Sequence, residues 1–137
     1  MFALRRCCGF CAVLLGCLTA ALPAASASDS TFPFGSSLML DEAPQPGSKR
    51  VPMIEIDKDG TASFYLWCAN VRGSANVGDD TINIVPTTPL PSECSQEEIS
   101  RDAGLLAQLS QMTGWRRQGD EIDLLGTTTL RFRLMTN

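Results

Sequence analysis

Short runs in which apolar and polar residues alternate follow one another through the middle of the chain. They predict β-strands over residues 36–40, 51–57, 61–67, 70–77 and 81–85. The segments Lys-Asp-Gly at 58–60 and Gly-Asp-Asp at 78–80 are predicted hairpin turns, because glycine tolerates the positive φ that a tight turn requires. This half of the chain is therefore predicted to form an antiparallel sheet.

A single helical pattern follows a link at residues 87–91, whose two prolines are incompatible with the interior of a sheet. Ser95 and Glu98 have the spacing of a capping box, which predicts the start of the helix. Gly114 is predicted to end it. Six apolar positions fall on one side of the helical wheel: Ile99, Ala103, Leu105, Leu106, Leu109 and Met112.

Alternation resumes after the helix and predicts a β-meander with strands at 115–117, 121–125 and 129–135. A three-residue loop at 126–128 sets four opposed pairs: Leu124 with Leu130, Ile122 with Phe132, Asp123 with Arg131 and Glu121 with Arg133. A slip of one residue would set apolar side chains against charges. The sheet thus has one apolar face, which the single helix can cover, and the predicted fold class is α+β.

The first 27 residues have a different pattern. Arg5 and Arg6 precede an apolar run at 10–22, which ends in Pro23 and four small residues. This is the layout of a secretory signal peptide with cleavage after Ala27. The run has about 13 residues, against about 20 for a membrane-spanning helix. We predict a signal peptide at 1–27, a tether and first strand at 28–50, the main domain at 51–137, and a periplasmic or secreted location.

A second processing signal lies within the same segment. The sequence Leu-Leu-Gly-Cys at 14–17 resembles a bacterial lipobox, in which Cys17 would be lipidated and become the new N-terminus. Against this, the apolar residues 18–27 would then remain on the mature protein. A membrane-anchored lipoprotein is the alternative location, and contact with a membrane is expected only if Cys17 is lipidated.

Composition and charge restrict the class of protein and its expected partners. The 137 residues are 44% hydrophobic and 19% charged, as in one ordinary globular domain. The net charge is −4, and loss of Arg5 and Arg6 with the leader makes it more negative, so nucleic acid is not an expected partner.

Four of the six cysteines leave with the leader, and Cys68 and Cys94 remain. An even count in an oxidising compartment predicts a disulfide, which would stabilise the fold by about 3 to 4 kcal/mol. The alternative is two buried, reduced thiols.

Candidate chemistry is sparse. The chain has no histidine, which excludes His-dependent nucleophiles and the usual zinc sites. Residues 57–60 begin like a calcium loop but lack its later ligands. We therefore expect no enzyme activity, metal or cofactor. Five aromatic residues exceed what one helix covers and suggest an open apolar groove for an acyl chain or an extended peptide: Phe64, Tyr65, Trp67, Trp115 and Phe132.

The order of these elements resembles the META (HslJ-like) domain of bacterial envelope proteins. The resemblance covers about residues 51–135 and rests on the following positions: Asp59-Gly60, Cys68-Ala69-Asn70, Gly73, Thr87-Thr88, Cys94, Glu97-Glu98, residues 105–109 and residues 119–125. The family pattern has Gly-Cys-Asn where this chain has Trp67-Cys68-Ala69-Asn70.

The resemblance implies a strongly curved antiparallel sheet, a cracked half-barrel, packed against one α-helix and similar to pilotin-type secretion lipoproteins. It implies a non-enzymatic role in envelope stress or assembly, with no catalytic residues. The expected partner is an envelope protein or an apolar ligand, and the expected state is a monomer. The alternative function is a small lipocalin-like periplasmic inhibitor of a protease or hydrolase, acting through the loop at 41–50.

Overall fold

A computed structural model describes residues 31–87 and 93–136. The predicted signal peptide, Cys17 and most of the proline-containing link lie outside these ranges. Within these two ranges, eight strands and one helix occur in chain order: β1 (Leu38–Leu40), β2 (Met53–Ile56), β3 (Thr61–Tyr65), β4 (Asn70–Val77), β5 (Ile82–Pro86), α1 (Gln96–Ser110), β6 (Gly114–Gln118), β7 (Glu121–Leu125) and β8 (Thr129–Leu134).

The strands form one antiparallel sheet in the order β5-β4-β3-β2-β1-β8-β7-β6. The sheet curls until its two edge strands meet at one end, where Thr81 bridges to Gly114. The Ile82 N–H donates to the carbonyl of Thr113 at 3.1 Å beside this bridge. The result is a nearly closed barrel with one helix, which confirms the predicted curved sheet and single helix.

The meander has the register that the sequence predicts. Ile122 lies opposite Phe132 and Leu124 opposite Leu130, whereas Asp123 lies opposite Arg131. Ile122, Leu124 and Phe132 are fully buried in one core with the inward residues of the other strands. Period-2 alternation therefore sorted this strand pair correctly between core and surface.

Strand β1 is short but central, since it pairs with β2 on one side and with β8 on the other. It joins the two halves of the sheet. Just before it, Phe32, which the sequence placed in the tether, is buried with its ring centroid 5.1 Å from that of Trp115. The chain is therefore anchored to the barrel before the first strand begins.

The predicted capping box is present, because Ser95 accepts from the Glu98 N–H and Glu98 accepts from the Ser95 N–H. The predicted helix end at Gly114 was wrong. The helix ends at Ser110, and Gly114 opens β6, where a Cβ would lie 3.2 Å from the carbonyl oxygen of Asp80. The glycine permits the close approach of β6 to the chain before β5. In the sequence, a glycine with this role cannot be told from a glycine that ends a helix.

Within the described ranges, no helix has the length and apolar character needed to cross a membrane.

Candidate binding site

An apolar cleft lies between the edge strand β5 and the helix. It has a volume of about 470 Å³. Its lining residues carry no charge and come in equal numbers from the two elements: Asn83, Ile84, Val85 and Pro86 from β5, and Ala103, Leu106, Ala107 and Ser110 from α1. Apolar concave surfaces with a few polar groups are typical of binding sites.

The helix wall of the cleft is one stripe with small side chains. Leu106 is buried, whereas Ala103, Ala107 and Ser110 are exposed. These residues recur at the three- and four-residue spacing of one helix face. Their small side chains do not reach β5, and this leaves the cleft open.

The other wall of the cleft is β5, whose backbone groups alternate in direction. The carbonyl of Thr81 accepts from Gly78, and the Thr87 N–H donates to Arg72, so the odd-numbered residues of β5 direct their backbone groups toward β4. Backbone groups alternate in direction along an antiparallel strand. The N–H and C=O groups of Ile84 therefore point away from β4, but Ile84 is only 1% exposed, so these groups are not accessible at the edge.

The chain at the start of β6 forms hydrogen bonds with this edge only at the beginning of β5. The Ile82 N–H bonds to Thr113, and the Trp115 N–H bonds to Asp80 at 3.0 Å. Among residues 31–87 and 93–136, no backbone group pairs with the N–H of Ile84. The edge of β5 thus pairs up to Ile82 with the chain at the start of β6, and beyond Ile82 it is buried at Ile84.

A buried carboxylate on the helix fixes α1 to the turn between β3 and β4. Asp102 has no exposed surface and lies on α1 among the leucines of the core side. It accepts three backbone N–H groups of the β3–β4 turn, from Trp67 at 3.0 Å, Cys68 at 3.2 Å and Ala69 at 2.7 Å. Hydrogen bonds to an ionised acceptor are about twice as strong as neutral ones.

The same turn is fixed from two further directions. Cys68 forms the predicted disulfide with Cys94, just before the helix, with Cα atoms 6.1 Å apart. Arg50 donates to the carbonyl groups of Trp67 and Cys68 and, at 3.1 Å, to the side-chain oxygen of Asn70. The wall of the cleft that α1 provides is therefore anchored by the disulfide and by hydrogen bonds.

The disulfide sulfurs and a carboxylate oxygen of Glu98 lie within 4.8 Å of one another. Metal ions bind thiolates, and sulfurs joined in a disulfide carry no such charge. The cluster therefore serves the turn rather than a metal.

A second buried carboxylate lies on the opposite side of the sheet. Asp123 is 6% exposed and accepts from Arg116 and Arg131, each at 2.9 Å. Burial by itself raises the pKa of the Asp123 carboxyl, but the hydrogen bonds and charges of the two arginines outweigh it. The pKa of Asp123 consequently lies below its usual value.

This shift predicts a pH dependence of stability. A carboxyl whose pKa is lower in the folded state stabilises the fold above its unfolded pKa of about 3.9, and the contribution is lost as the pH falls through the folded value. We expect the free energy of unfolding of the wild type to exceed that of Asp123→Asn by a constant amount from pH 7 to 5. The difference should shrink below about pH 4.

Urea titrations of both proteins across this range measure the difference. Asp59 and Glu98 also have pKa values below the usual range, because the backbone N–H groups of Thr61 and Ser95, respectively, donate to them. Both residues are present in both proteins, so their contributions cancel. A difference that stays constant down to pH 2.5 would contradict the prediction.

The five aromatic residues proposed from the sequence do not meet in one groove. Phe64, Trp115 and Phe132 are buried in the core. Tyr65 is 37% exposed on the outside of β3, and Trp67 is half-buried at the turn below the helix. The sheet curls far enough to enclose the large rings, and none of the five lines the cleft between β5 and α1.

Sequence reasoning missed both Asp102 and the cleft, although each leaves a signal. On the helical wheel, Asp102 lies between Leu106 and Leu109, within the apolar sector. A charged side chain at such a position needs a partner. Ala103 was assigned to the buried side of the helix but is exposed. The apolar side of the helix is wider than the surface that the sheet covers. This excess width is the feature of the sequence that corresponds to the cleft.

Comparison with known proteins agrees with this architecture. The family model of the META domain matches residues 36–136, and the chain belongs to this family. The match includes β1, consistent with the central position of that strand. It favours the META prediction over the lipocalin-like inhibitor. No curated protein matches the sequence.

Two solved structures, both determined by NMR, have a similar fold. One, from Burkholderia xenovorans, is 16% identical with a TM-score of 0.60, and the alignment covers 85% of this chain and 100% of that one. The other is 15% identical with a TM-score of 0.54, covering 73% of this chain and 89% of that one. At these identities the similarity concerns the fold alone.

Proposed function

We propose that this META domain has a non-enzymatic role in the bacterial cell envelope, where it binds or stabilises another molecule through the cleft between β5 and α1. The cleft is the observation that carries the proposal, because its lining is uncharged and largely apolar and includes the exposed residues Val85, Ala103 and Ala107. Membership of the META family supports an envelope role.

The anchoring of the helix supports a binding role, because it keeps α1 from closing the cleft against β5. Asp102 and the Cys68–Cys94 disulfide hold both ends of the contact between α1 and the β3–β4 turn. A cleft whose walls are fixed in advance loses less conformational entropy on binding. The disulfide also suits an oxidising compartment, as the leader pattern does.

An uncharged apolar dye tests whether the cleft binds. Nile red should bind the folded protein and gain fluorescence, and Ala107→Arg should weaken that binding by at least about tenfold, because the guanidinium places a charge in an apolar site. Fluorescence titration measures the affinity, and circular dichroism checks that each variant is folded.

Gln108→Arg is the matched control. Gln108 adjoins Ala107, is also exposed, and points to another side of the same helix, outside the cleft. The control adds the same charge and should bind Nile red like the wild type. Equal binding by all three proteins, or none by the wild type, would refute a binding role for the cleft.

The envelope location has its own test. The intact mass of the native protein should correspond to a chain that starts at Ser28 and gains about two mass units on reduction of the disulfide. A chain that starts at an acylated Cys17 would instead define a membrane-tethered lipoprotein. A full-length chain with reduced thiols in the cytoplasm would contradict the envelope role.

A further inference from the structure

We infer that the reduced form of this protein binds a zinc ion between the β3–β4 turn and the start of α1, with Cys68, Cys94 and Glu98 as ligands. The site is separate from the cleft, and the inference does not rest on the proposed function. In the oxidised protein the disulfide leaves no thiolate for a metal. Cysteines enter a new chain as thiols, so every copy passes through the reduced form before the disulfide closes.

The three ligand groups already converge in the fold. The two sulfurs and a carboxylate oxygen of Glu98 lie within 4.8 Å of one another, and all three residues are half-buried. Zinc holds sulfur and oxygen ligands at about 2.0 to 2.3 Å, so two ligand atoms on one ion are about 4 Å apart or less. Small side-chain rotations therefore suffice once the S–S bond is open. Water can take the fourth position of the tetrahedron, because the site is only half-buried.

The backbone that carries Cys68 is also held by contacts other than the disulfide. The Cys68 N–H donates to Asp102 at 3.2 Å, and the N–H groups on either side donate to the same carboxylate. Arg50 donates to the Cys68 carbonyl. These contacts do not involve the sulfur, so they can keep Cys68 beside the helix after reduction. Groups that orient a ligand in this way increase the affinity of a metal site.

The start of the helix positions the other two ligands. Cys94 directly precedes the N-cap residue Ser95, and Glu98 lies in the first turn of α1. The Ser95 N–H donates to Oε2 of Glu98 at 2.9 Å, which leaves Oε1 to bind a metal. The capping box is independent of the disulfide. It can therefore hold Cys94 and Glu98 close to each other in the reduced protein.

The ligand set favours zinc over other common ions. Ca²⁺ and Mg²⁺ prefer oxygen ligands, and Cu(I) prefers sulfur ligands. Zn²⁺ accepts thiolate and carboxylate together in tetrahedral geometry. Two thiolates and one carboxylate within 4.8 Å would also repel one another, and a divalent cation removes that repulsion.

Formation of the site from the oxidised protein needs a two-electron reductant, which is a dithiol in this proposal. The dithiol is oxidised to its own disulfide while the Cys68–Cys94 bond breaks, and each cysteine sulfur takes up a proton. Zinc then displaces the two thiol protons, which pass to water. The metal and the disulfide are thus alternative links between the same turn and the same helix.

Cobalt substitution tests the site. The protein is reduced with a phosphine under argon, so that no added thiol competes for metal, and is then titrated with Co²⁺. We expect a thiolate-to-cobalt charge-transfer band that saturates at one ion per chain, and Zn²⁺ should abolish it. The oxidised protein should give no such band, because its sulfurs are not thiolates.

Glu98→Gln and Glu97→Gln form a matched pair of variants. Each removes one charge from the first helical turn, and glutamine at position 98 retains the capping box. Glu98→Gln should weaken zinc binding to the reduced protein by at least about tenfold, because a neutral amide replaces an anionic ligand. Glu97 is exposed and pairs with Arg101, so Glu97→Gln should bind zinc within about twofold of the wild type. Competition with a chelating dye measures both affinities.

Circular dichroism shows whether the reduced protein stays folded. If reduction unfolds the chain, zinc should restore the folded spectrum, because the ligands converge only in the fold. If the reduced protein stays folded, its thermal unfolding midpoint should rise with zinc. The midpoint of the oxidised protein should not change.

Three results would overturn the zinc site. The first is a reduced protein that gives no cobalt band and no response to zinc. The second is equal zinc affinity of Glu98→Gln and Glu97→Gln, which would remove Glu98 from the ligand set. The third is one ion per two chains in sedimentation experiments, which would assign the metal to cysteines of different molecules. None of these results involves Nile red, so the proposed role of the cleft is tested separately.

Discussion

Asp102→Ala is expected to lower the free energy of unfolding by about 3 to 5 kcal/mol, the range for removal of one partner from a buried charged network. The substitution removes the acceptor of three backbone N–H groups, at Trp67, Cys68 and Ala69. Alanine cannot replace it, and water has little access to a site with no exposed surface. For a small domain this is a large part of its stability, which is about 5 to 15 kcal/mol.

Two variants control for shape and for charge. Asp102→Asn retains the size of the side chain but has one acceptor oxygen for three donors, so its loss should lie between those of the wild type and Asp102→Ala. Glu97→Ala removes an acid of the same helix whose ion pair with Arg101 is exposed, and should change stability by less than about 0.5 kcal/mol. Urea unfolding measures all three. If Asp102→Ala and Glu97→Ala have equal effects, the three bonds do not hold the helix.

Removal of the disulfide is the second large effect. Replacement of both Cys68 and Cys94 by alanine should lower the free energy of unfolding by about 3 to 4 kcal/mol, because the unfolded chain loses the restraint on a loop that contains β4 and β5. Dithiothreitol should destabilise the wild type to a similar extent and leave the double variant unchanged. A double variant as stable as the oxidised wild type would contradict this expectation.

The two effects should not add. Asp102 and the disulfide both hold the β3–β4 turn against α1, and residues that share a partner show coupling energies of about 0.5 to 3 kcal/mol. A turn that has lost the disulfide can rearrange to hydrate its N–H groups, so Asp102→Ala should cost less in the double-alanine background. Strict additivity would mean that each contact stabilises the turn independently.

The sequence predicted the strands, the helix and the register of the meander because each depends on a local period. In the meander, alternation places Ile122 and Leu124 on one face and Asp123 on the other, and a register slip would oppose unlike side chains. The capping box at Ser95 and Glu98 likewise involves residues three apart. Cys68 and Cys94 were paired because only two cysteines follow the leader.

The errors have one physical cause, which is that curvature is a property of the whole sheet. Gly114 looked like a helix stop, but the closing of the sheet brings it to Asp80, where a Cβ would lie 3.2 Å from the carbonyl oxygen, a tighter contact than usual. The five aromatic residues suggested an exposed groove, but a flat sheet exposes rings that a curled sheet encloses. The position of Phe32 against Trp115 depends on the same curl.

The sequence alone thus predicted the strands and the helix, the register of the meander, the disulfide and the family, because each is encoded by spacing along the chain. The tertiary structure decided which apolar positions remain exposed. The spacing of residues along α1 does not show that Ala103 and Ala107 stay exposed beside β5. A cleft forms where two elements do not pack fully against each other, and this depends on distances between residues far apart in sequence.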